Sequence, residues 1–468
     1  MSKSTLPAGR VDASAAPQES LAAIAARIAA PEQRQKMYAD LTARRDAVEP
    51  AVNAFEMRRE RCPETVRGPL NGLPITVKDQ IAVTGWPTSH GKERASTRPE
   101  QRSASLVARL QSLGANVTGK TALPPHAMDF QTVTARRGAT ANPHNPAFTP
   151  GGSTGGGAAA VASGMSYADV GSDLSGSLRI PASWCGVASY TPTEGAWPTD
   201  GMLPATQKLA HFARIGLTAR TAADLSFLWH RLERTAPRVP DTPPRIAVWQ
   251  PGKAAPCDAD TSAAWTRFAE DVHRCNPGAV PDAMTSLFRP EIYRIAAEII
   301  GHETGGLIPW VIRWLMRQDR QARDTSPGFV AHVHEGYRRD KTRYAANLRK
   351  LDDLRRAALD IWGSVDALMV PVSGVCAFRH TAPVRDQGGV RTYDTVFQTA
   401  AGPMRYFDAL TRFTLPITAL GWPVVTVPIG RDSNGIPIGV QLVGKPGADG
   451  AMLQLAQQVE ASHKAESG

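Results

Sequence analysis

The sequence predicts an α/β protein: a large mixed β-sheet core covered by helices on both faces. Three observations carry this. Short β-branched runs, among them Ile75–Val77 and Arg245–Val248, alternate with longer segments whose apolar residues recur every three or four positions. Near the end of the chain, PVVTVPIG and PIGVQLVG flank Asn434-Gly435, a dipeptide suited to a tight hairpin, which makes the sheet mixed rather than purely parallel. The length of 468 residues, with 42% hydrophobic content, provides for a sizeable core.

Taken in order, residues 1–19 lack an apolar core and read as a disordered leader rather than a secretory signal. Leu21, Ile24 and Ile28 have helical spacing, closed by Pro31, and a second helix covers Glu32 to Val48. Ile75 to Val77 form a buried strand that ends at Lys78, with Asp79 beside it. Ser105 to Leu113 reads as an amphipathic helix stopped by Gly114, followed by a short strand from Ala115 to Gly119. A turn-rich loop from Arg136 to Pro150 leads to an Ala-rich helix and then a strand at Tyr167–Gly171. Thr221 and Asp224 mark another helix start, and Arg245 to Val248 another strand. From Asp258 to about Trp362 the pattern is mostly helical, with Tyr344, Leu348, Leu351, Leu354, Ala358 and Trp362 on one face. Trp310 and Trp314, four apart, read as a packed aromatic pair, with a wall of the substrate pocket as the sharper alternative. Strands at 365–371, 423–430 and 437–444 and a helix from Ala451 to Ala461 close the core.

Composition excludes several function classes. The formal net charge is +10, but acids and bases are interspersed and no nucleic-acid motif is present. No apolar run approaches the roughly 18 residues needed to span a bilayer, so neither a membrane nor a nucleic acid is expected as a partner, and the default address is cytoplasmic. Cys62, Cys185, Cys257, Cys275 and Cys376 are odd in number and widely spaced, which argues for free thiols rather than a disulfide framework. His332, His334 and Glu335 lack metal-ligand spacing, and no CxxC pair occurs, so no metal site is expected.

The stretch from Pro150 to Gly186 needs a separate reason. Gly151, Gly152, Gly155, Gly156 and Gly157 crowd around Ser153 and Thr154, and a second Ser/Gly cluster runs from Ser172 to Ser177. Glycine loses more backbone freedom on folding than any other residue. Such density, running directly into a helix of small residues, reads as a loop that lets a substrate or another segment approach closely. A serine nucleophile needs a base within reach and donors for the oxyanion, and lysine is a common alternative to histidine as that base. Lys78 reads in two ways: as a side chain snorkelling from the strand end, or as a buried base with a depressed pKa.

These residues resemble the amidase signature family. GGSTGGGAAAVASG followed by GSDLSGSLRIPASWCGV is similar to its paired Gly/Ser motifs, GPLNGLPITVKDQIAVTGWPT to its upstream lysine motif, and GWPVVTVPIGRDSNGIPIGVQLVG to its closing motif. The likeness runs from about residue 20 to the end, implying a single domain over 20–468 with a variable, mostly helical insert at about 235–362. By resemblance Lys78 is the catalytic lysine, Ser153 a bridging serine after a cis Gly152–Ser153 peptide, and Ser177 the nucleophile. The backbone N–H groups of Leu174, Ser175, Gly176 and Ser177 would form the oxyanion hole, with Thr154, Asp173 and Arg179 in support. The resemblance implies hydrolysis of a small-molecule amide without cofactor or metal, and a homodimer is compatible with it. Two alternatives stand beside this: a glutaminase subunit of a tRNA-dependent amidotransferase, and a catalytically silent binding scaffold. The sequence departs from the family pattern at Thr154, Gly157, Ser175 and Thr418, and Ser175 would be strained if its position required positive φ. The substrate pockets are expected to be lined by the 120–135 loop, the helical insert and residues near 370–415.

Overall fold

The computed structural model describes residues 19–467 except 95, 135, 203–208, 236–243, 251–254, 276–279, 282–284, 364 and 388–389. The expected leader therefore lies outside the described residues, apart from its last position. One 11-stranded sheet organises the rest. Its strands are β1 (Phe55–Arg58), β2 (Pro74–Lys78), β3 (Asn116–Thr121), β4 (Ala168–Asp173), β5 (Ala188–Thr191) and β6 (Arg214–Ala219), then β7 (Ile246–Val248), β8 (Val280–Pro281), β9 (Ala367–Pro371), β10 (Val424–Arg431) and β11 (Pro437–Gly444). Across the sheet the order is β1-β3-β2-β4-β6-β5-β10-β11-β9-β7-β8. β2 runs parallel to β3 and β4, and β7 parallel to β8 and β9, while the other neighbours are antiparallel. The mixed sheet is as the hairpin at Asn434-Gly435 predicts, with Gly435 at φ +79°.

The two-residue period of a strand decides what each face of β2 receives. Ile75 and Val77 enter a large apolar core with α1 (Leu21–Arg27), α3 (Ser105–Ser112) and α6 (Ala222–Glu233). Thr76 and Lys78 point to the other face, which is covered by α4 (Gly155–Ala162), α5 (Arg179–Cys185) and α2 (Pro31–Val52). Ser20 caps α1 by accepting from the Ala23 N–H (3.3 Å), and Thr221 caps α6 by accepting from Asp224 (3.1 Å). α7 (Ala259–Cys275), α8 (Pro290–Thr304) and further helices at 310–318, 320–324, 329–336 and 341–358 fill the expected helical region. Among the described residues no helix is long and apolar enough to cross a membrane.

Four details differ from the sequence reading. Pro31 opens α2 instead of merely ending α1, because its fixed φ suits a first helical position. β3 continues through Lys120 and Thr121, since the buried Lys120 ammonium finds Asp79 at 3.1 Å and the Ile81 carbonyl at 2.8 Å. β5 and β6 are interior strands with no sequence expectation behind them. Trp310 and Trp314 are not packed: they are 72% and 52% exposed. Their helix is moored instead by buried Met316 and by Arg313, which donates to the Ile308 carbonyl (3.1 Å).

Candidate active site

Lys78 ends β2 with no solvent exposure, so the snorkelling reading does not hold. Its Nζ faces three hydroxyls: Ser153 Oγ at 2.7 Å, Thr154 Oγ1 at 3.0 Å and Ser172 Oγ at 3.0 Å. Burial lowers its pKa to about 7, although Asp169 and Asp173 pull in the opposite direction. Burial lowers the pKa of nearby Lys120 as well, but the Asp79 carboxylate at 3.1 Å pulls in the opposite direction. Of these two lysines, only Lys78 has a purely hydroxylic shell.

The protons in that shell can be assigned. Thr154 Oγ1 donates to the Ser172 carbonyl (3.2 Å), and Ser172 Oγ donates to Gln80 Oε1 (2.9 Å). Both hydroxyls therefore act as acceptors toward Lys78. Ser153 Oγ has no other hydrogen-bond partner among the described residues. A neutral amine carries two N–H bonds and one lone pair. Thr154 and Ser172 take the two N–H bonds, and the lone pair is left for the Ser153 proton.

Ser153 is delivered by the loop before α4, through a cis Gly152–Ser153 peptide. The Thr154 N–H donates to the Ser177 carbonyl (3.1 Å), which lays this loop against the one that carries Ser177. No direct Ser153–Ser177 hydrogen bond joins the side chains. Ser153 and Ser177 are 1% and 7% exposed, so both sit in surroundings from which bulk water is largely excluded.

The Ser177 loop is fixed by a buried ion pair. Arg179 Nε and Nη2 donate to Asp173 Oδ2 (3.1 Å) and Oδ1 (2.8 Å), and the same guanidinium reaches the Thr414 carbonyl, Gln441 Oε1 and Thr418 Oγ1. Thr418, a departure from the family pattern, is thus an acceptor for Arg179. Burial alone would raise the Asp173 carboxyl, but Arg179, Arg214 and the Leu178 N–H hold it well below the usual carboxylate range. Asp173 also takes the Gly176 N–H (2.9 Å), which gives one of the four expected oxyanion donors another partner. The N–H groups of Leu174, Ser175 and Ser177 remain. Ser175 is not a positive-φ residue, so the strain considered for it does not arise. The positive φ falls on Gly176 (+126°), where a Cβ would also stand 2.8 Å from Thr414 Oγ1.

The segments expected to line the pockets do meet. Buried Asp129 accepts from Tyr393 (2.5 Å) and Tyr406 (2.9 Å), and Phe130 packs on Phe407 with ring centroids 6.1 Å apart. Phe329, from the helical region, packs on the same Phe407. Sequence reasoning missed Ser172 and Gln80 as neighbours of the lysine. The available signal was weak: Gln80 lies two residues after Lys78, and Ser172 opens the second Ser/Gly cluster.

The chain is similar to several known proteins over most of its length. The family model described as Amidase matches residues 19–453. A glutamyl-tRNA(Gln) amidotransferase chain of Chloroflexus aurantiacus is 30% identical over 464 residues, covering 92% of this chain and 90% of that protein. The 2-amino-5-chloromuconic acid deaminase of Comamonas testosteroni is 28% identical over 413 residues, 84% of this chain and 82% of its own. In fold, the chain is similar to 6-aminohexanoate cyclic dimer hydrolase, with a TM-score of 0.77 at 23% identity over 95% of this chain and 97% of that one. A family match that runs nearly end to end, on a fold shared with such hydrolases, leaves one conclusion: the chain belongs to the amidase family and is an amide hydrolase.

Proposed function

We propose that this amidase cleaves a small-molecule carboxylic amide through an acyl-enzyme on Ser177, with Ser153 as proton bridge and Lys78 as general base. The observation that supports it best is the lysine's environment: a fully buried amine, lowered to about 7, whose one uncommitted hydroxyl neighbour is Ser153 at 2.7 Å. An amine in that state is substantially neutral at neutral pH and can take a proton, which a solvated lysine cannot.

The reaction begins as Ser153 passes its proton to Lys78 Nζ and receives that of Ser177. Ser177 Oγ bonds to the amide carbon while the carbonyl electron pair moves onto oxygen. The N–H groups of Leu174, Ser175 and Ser177 receive that oxyanion, a class of contact worth about 3–4 kcal/mol per donor. Collapse breaks the C–N bond as Ser153 protonates the leaving amine and Lys78 returns its proton to Ser153. Water then attacks the ester by the same route, releasing the acid and restoring Ser177. On this reading, alanine at Ser177 or Lys78 abolishes hydrolysis of simple amides in a protein that still folds, and retained turnover in either variant contradicts it. The likeness to a glutamyl-tRNA(Gln) amidotransferase chain favours, as a second reading, an ammonia-supplying component of a larger assembly. Co-purification with a tRNA-binding partner discriminates the two.

A further inference from the structure

Three side chains that the mechanism does not use converge beside the start of α7. Asp260 in its first turn, Cys376 in the loop after β9 and Asp432 at the β10–β11 turn each bring one ligating atom within 4.8 Å of the other two. They are far apart in sequence, which is why no motif announces them. Hydrogen bonds hold all three in place. Asp432 Oδ1 accepts from the N–H groups of Asn434 (2.9 Å) and Ile436 (2.7 Å). Its Oδ2 has no hydrogen-bond partner, although the residue is only 7% exposed. Asp260 Oδ2 accepts from the Ser433 N–H (3.1 Å) and hydroxyl (2.7 Å). The Cys376 sulfur lies 3.4 Å from Thr261 Oγ1 and 3.7 Å from Asp258 Oδ1, and the Cys376 N–H donates to Asp258 Oδ2 (2.8 Å).

A buried carboxylate oxygen without a partner carries a desolvation cost that a native fold seldom leaves uncompensated. Here the carboxylate that bears it lies beside a thiol and a second carboxylate, and none of Asp258, Asp260 and Asp432 is ion-paired among the described residues. A cation resolves all of this at once. One thiolate with two carboxylates suits zinc, which accepts sulfur and oxygen together, whereas calcium and magnesium take oxygen alone. Tetrahedral zinc places its ligand atoms about 3.5 Å apart, so a small side-chain closure from the observed spacing completes the set.

We propose that Asp260, Cys376 and Asp432 form a structural site for a zinc-type divalent cation, with water as the remaining ligand. Binding displaces the Cys376 thiol proton to solvent and forms the metal–sulfur bond, with Thr261 donating to the sulfur. The ion would pin the start of α7 and the loop after β9 to the β10–β11 hairpin.

The test uses the full-length protein, stripped with a chelator and titrated separately with Cd²⁺ and Zn²⁺. Cd²⁺ should produce an ultraviolet thiolate-to-metal charge-transfer band saturating at one equivalent, and Zn²⁺ should raise Tm by several degrees. Cys376→Ser should remove the band and the Tm response, with Cys62, Cys185, Cys257 and Cys275 still present. Asp432→Asn and the half-buried Asp260→Asn should each weaken binding by about tenfold or more. Because Asp432 also orders its turn, the Asp260 variant carries the test if the Asp432 variant fails to fold. No band in the parent protein, a band that survives Cys376→Ser, or unchanged affinity in Asp260→Asn would overturn the proposal.

Discussion

Lys78 Nζ lies 2.7 Å from Ser153 Oγ, in a position where solvent reaches neither the amine nor, to any extent, the hydroxyl. The pH behaviour of the protein follows from that pair. To act as the proposed base Lys78 must be neutral, so on that proposal kcat/KM should rise with pH on a limb with an apparent pKa of about 7 rather than near the ordinary 10.5. The same shift enters stability. The folded pKa lies below the unfolded one, so between about 7 and 10.5 the unfolded chain binds more protons and stability rises with pH. Lys78→Met should be inactive, and the stability difference between it and the parent should shrink as pH rises through that window. Chemical denaturation at several pH values measures this.

The hydroxyls of Thr154 and Ser172 hold the two N–H bonds of the neutral lysine and aim its lone pair. Thr154→Ser keeps that acceptor and should stay near parental activity. Thr154→Val and Ser172→Ala should each lower kcat by about 10²-fold with KM little changed, the usual consequence of misaiming a catalytic group. Steady-state kinetics on one amide substrate provides the comparison.

Gly157 and Asp169 are coupled by close approach. A Cβ on Gly157 would stand 2.0 Å from Asp169 Oδ2, a buried oxygen without a hydrogen-bond partner. Gly157→Ala should therefore destabilise by about 1–3 kcal/mol through overpacking. Asp169→Ala makes room, so the double variant should lose less stability than the sum of the singles. Urea unfolding across the double-mutant cycle reads the coupling.

The Asp173–Arg179 pair lies entirely out of solvent. Asp173→Asn leaves a buried guanidinium without its charge partner and should cost about 3–5 kcal/mol. It should also loosen the Ser177 loop, because the N–H groups of Gly176 and Leu178 lose a charged acceptor. Denaturant midpoints report the first effect and kcat the second.

How far the sequence discloses this molecule depends on the range of the interaction. The end of β2, the hairpin at Asn434-Gly435 and the helix start at Thr221 are set by local periodicity and turn chemistry, and they are legible. Lys78, Ser153 and Ser177 stand out through the likeness of their motifs to the amidase family, whereas the residues alone leave Lys78 open between a snorkelling side chain and a buried base. β5 and β6 are not legible, since strands buried on both faces lose the alternation that marks a strand, and β6 even buries Arg214, a residue type seldom found inside. Trp310 and Trp314 show the opposite failure: a helical spacing of aromatics says nothing about which neighbour covers them. The Ser172–Gln80 bond and the meeting of Asp260, Cys376 and Asp432 depend on contacts between distant segments. No single-sequence pattern carries those.

The proposed mechanism depends above all on an acyl-enzyme at Ser177. Labelling with a serine-reactive fluorophosphonate, followed by intact-mass and peptide mass spectrometry, tests it most directly. The expected result is one stoichiometric adduct on the peptide bearing Ser177, concurrent loss of amide hydrolysis, no adduct in Ser177→Ala, and much slower labelling in Lys78→Ala. An adduct on a different serine, or unimpaired hydrolysis by a folded Ser177→Ala variant, would contradict it.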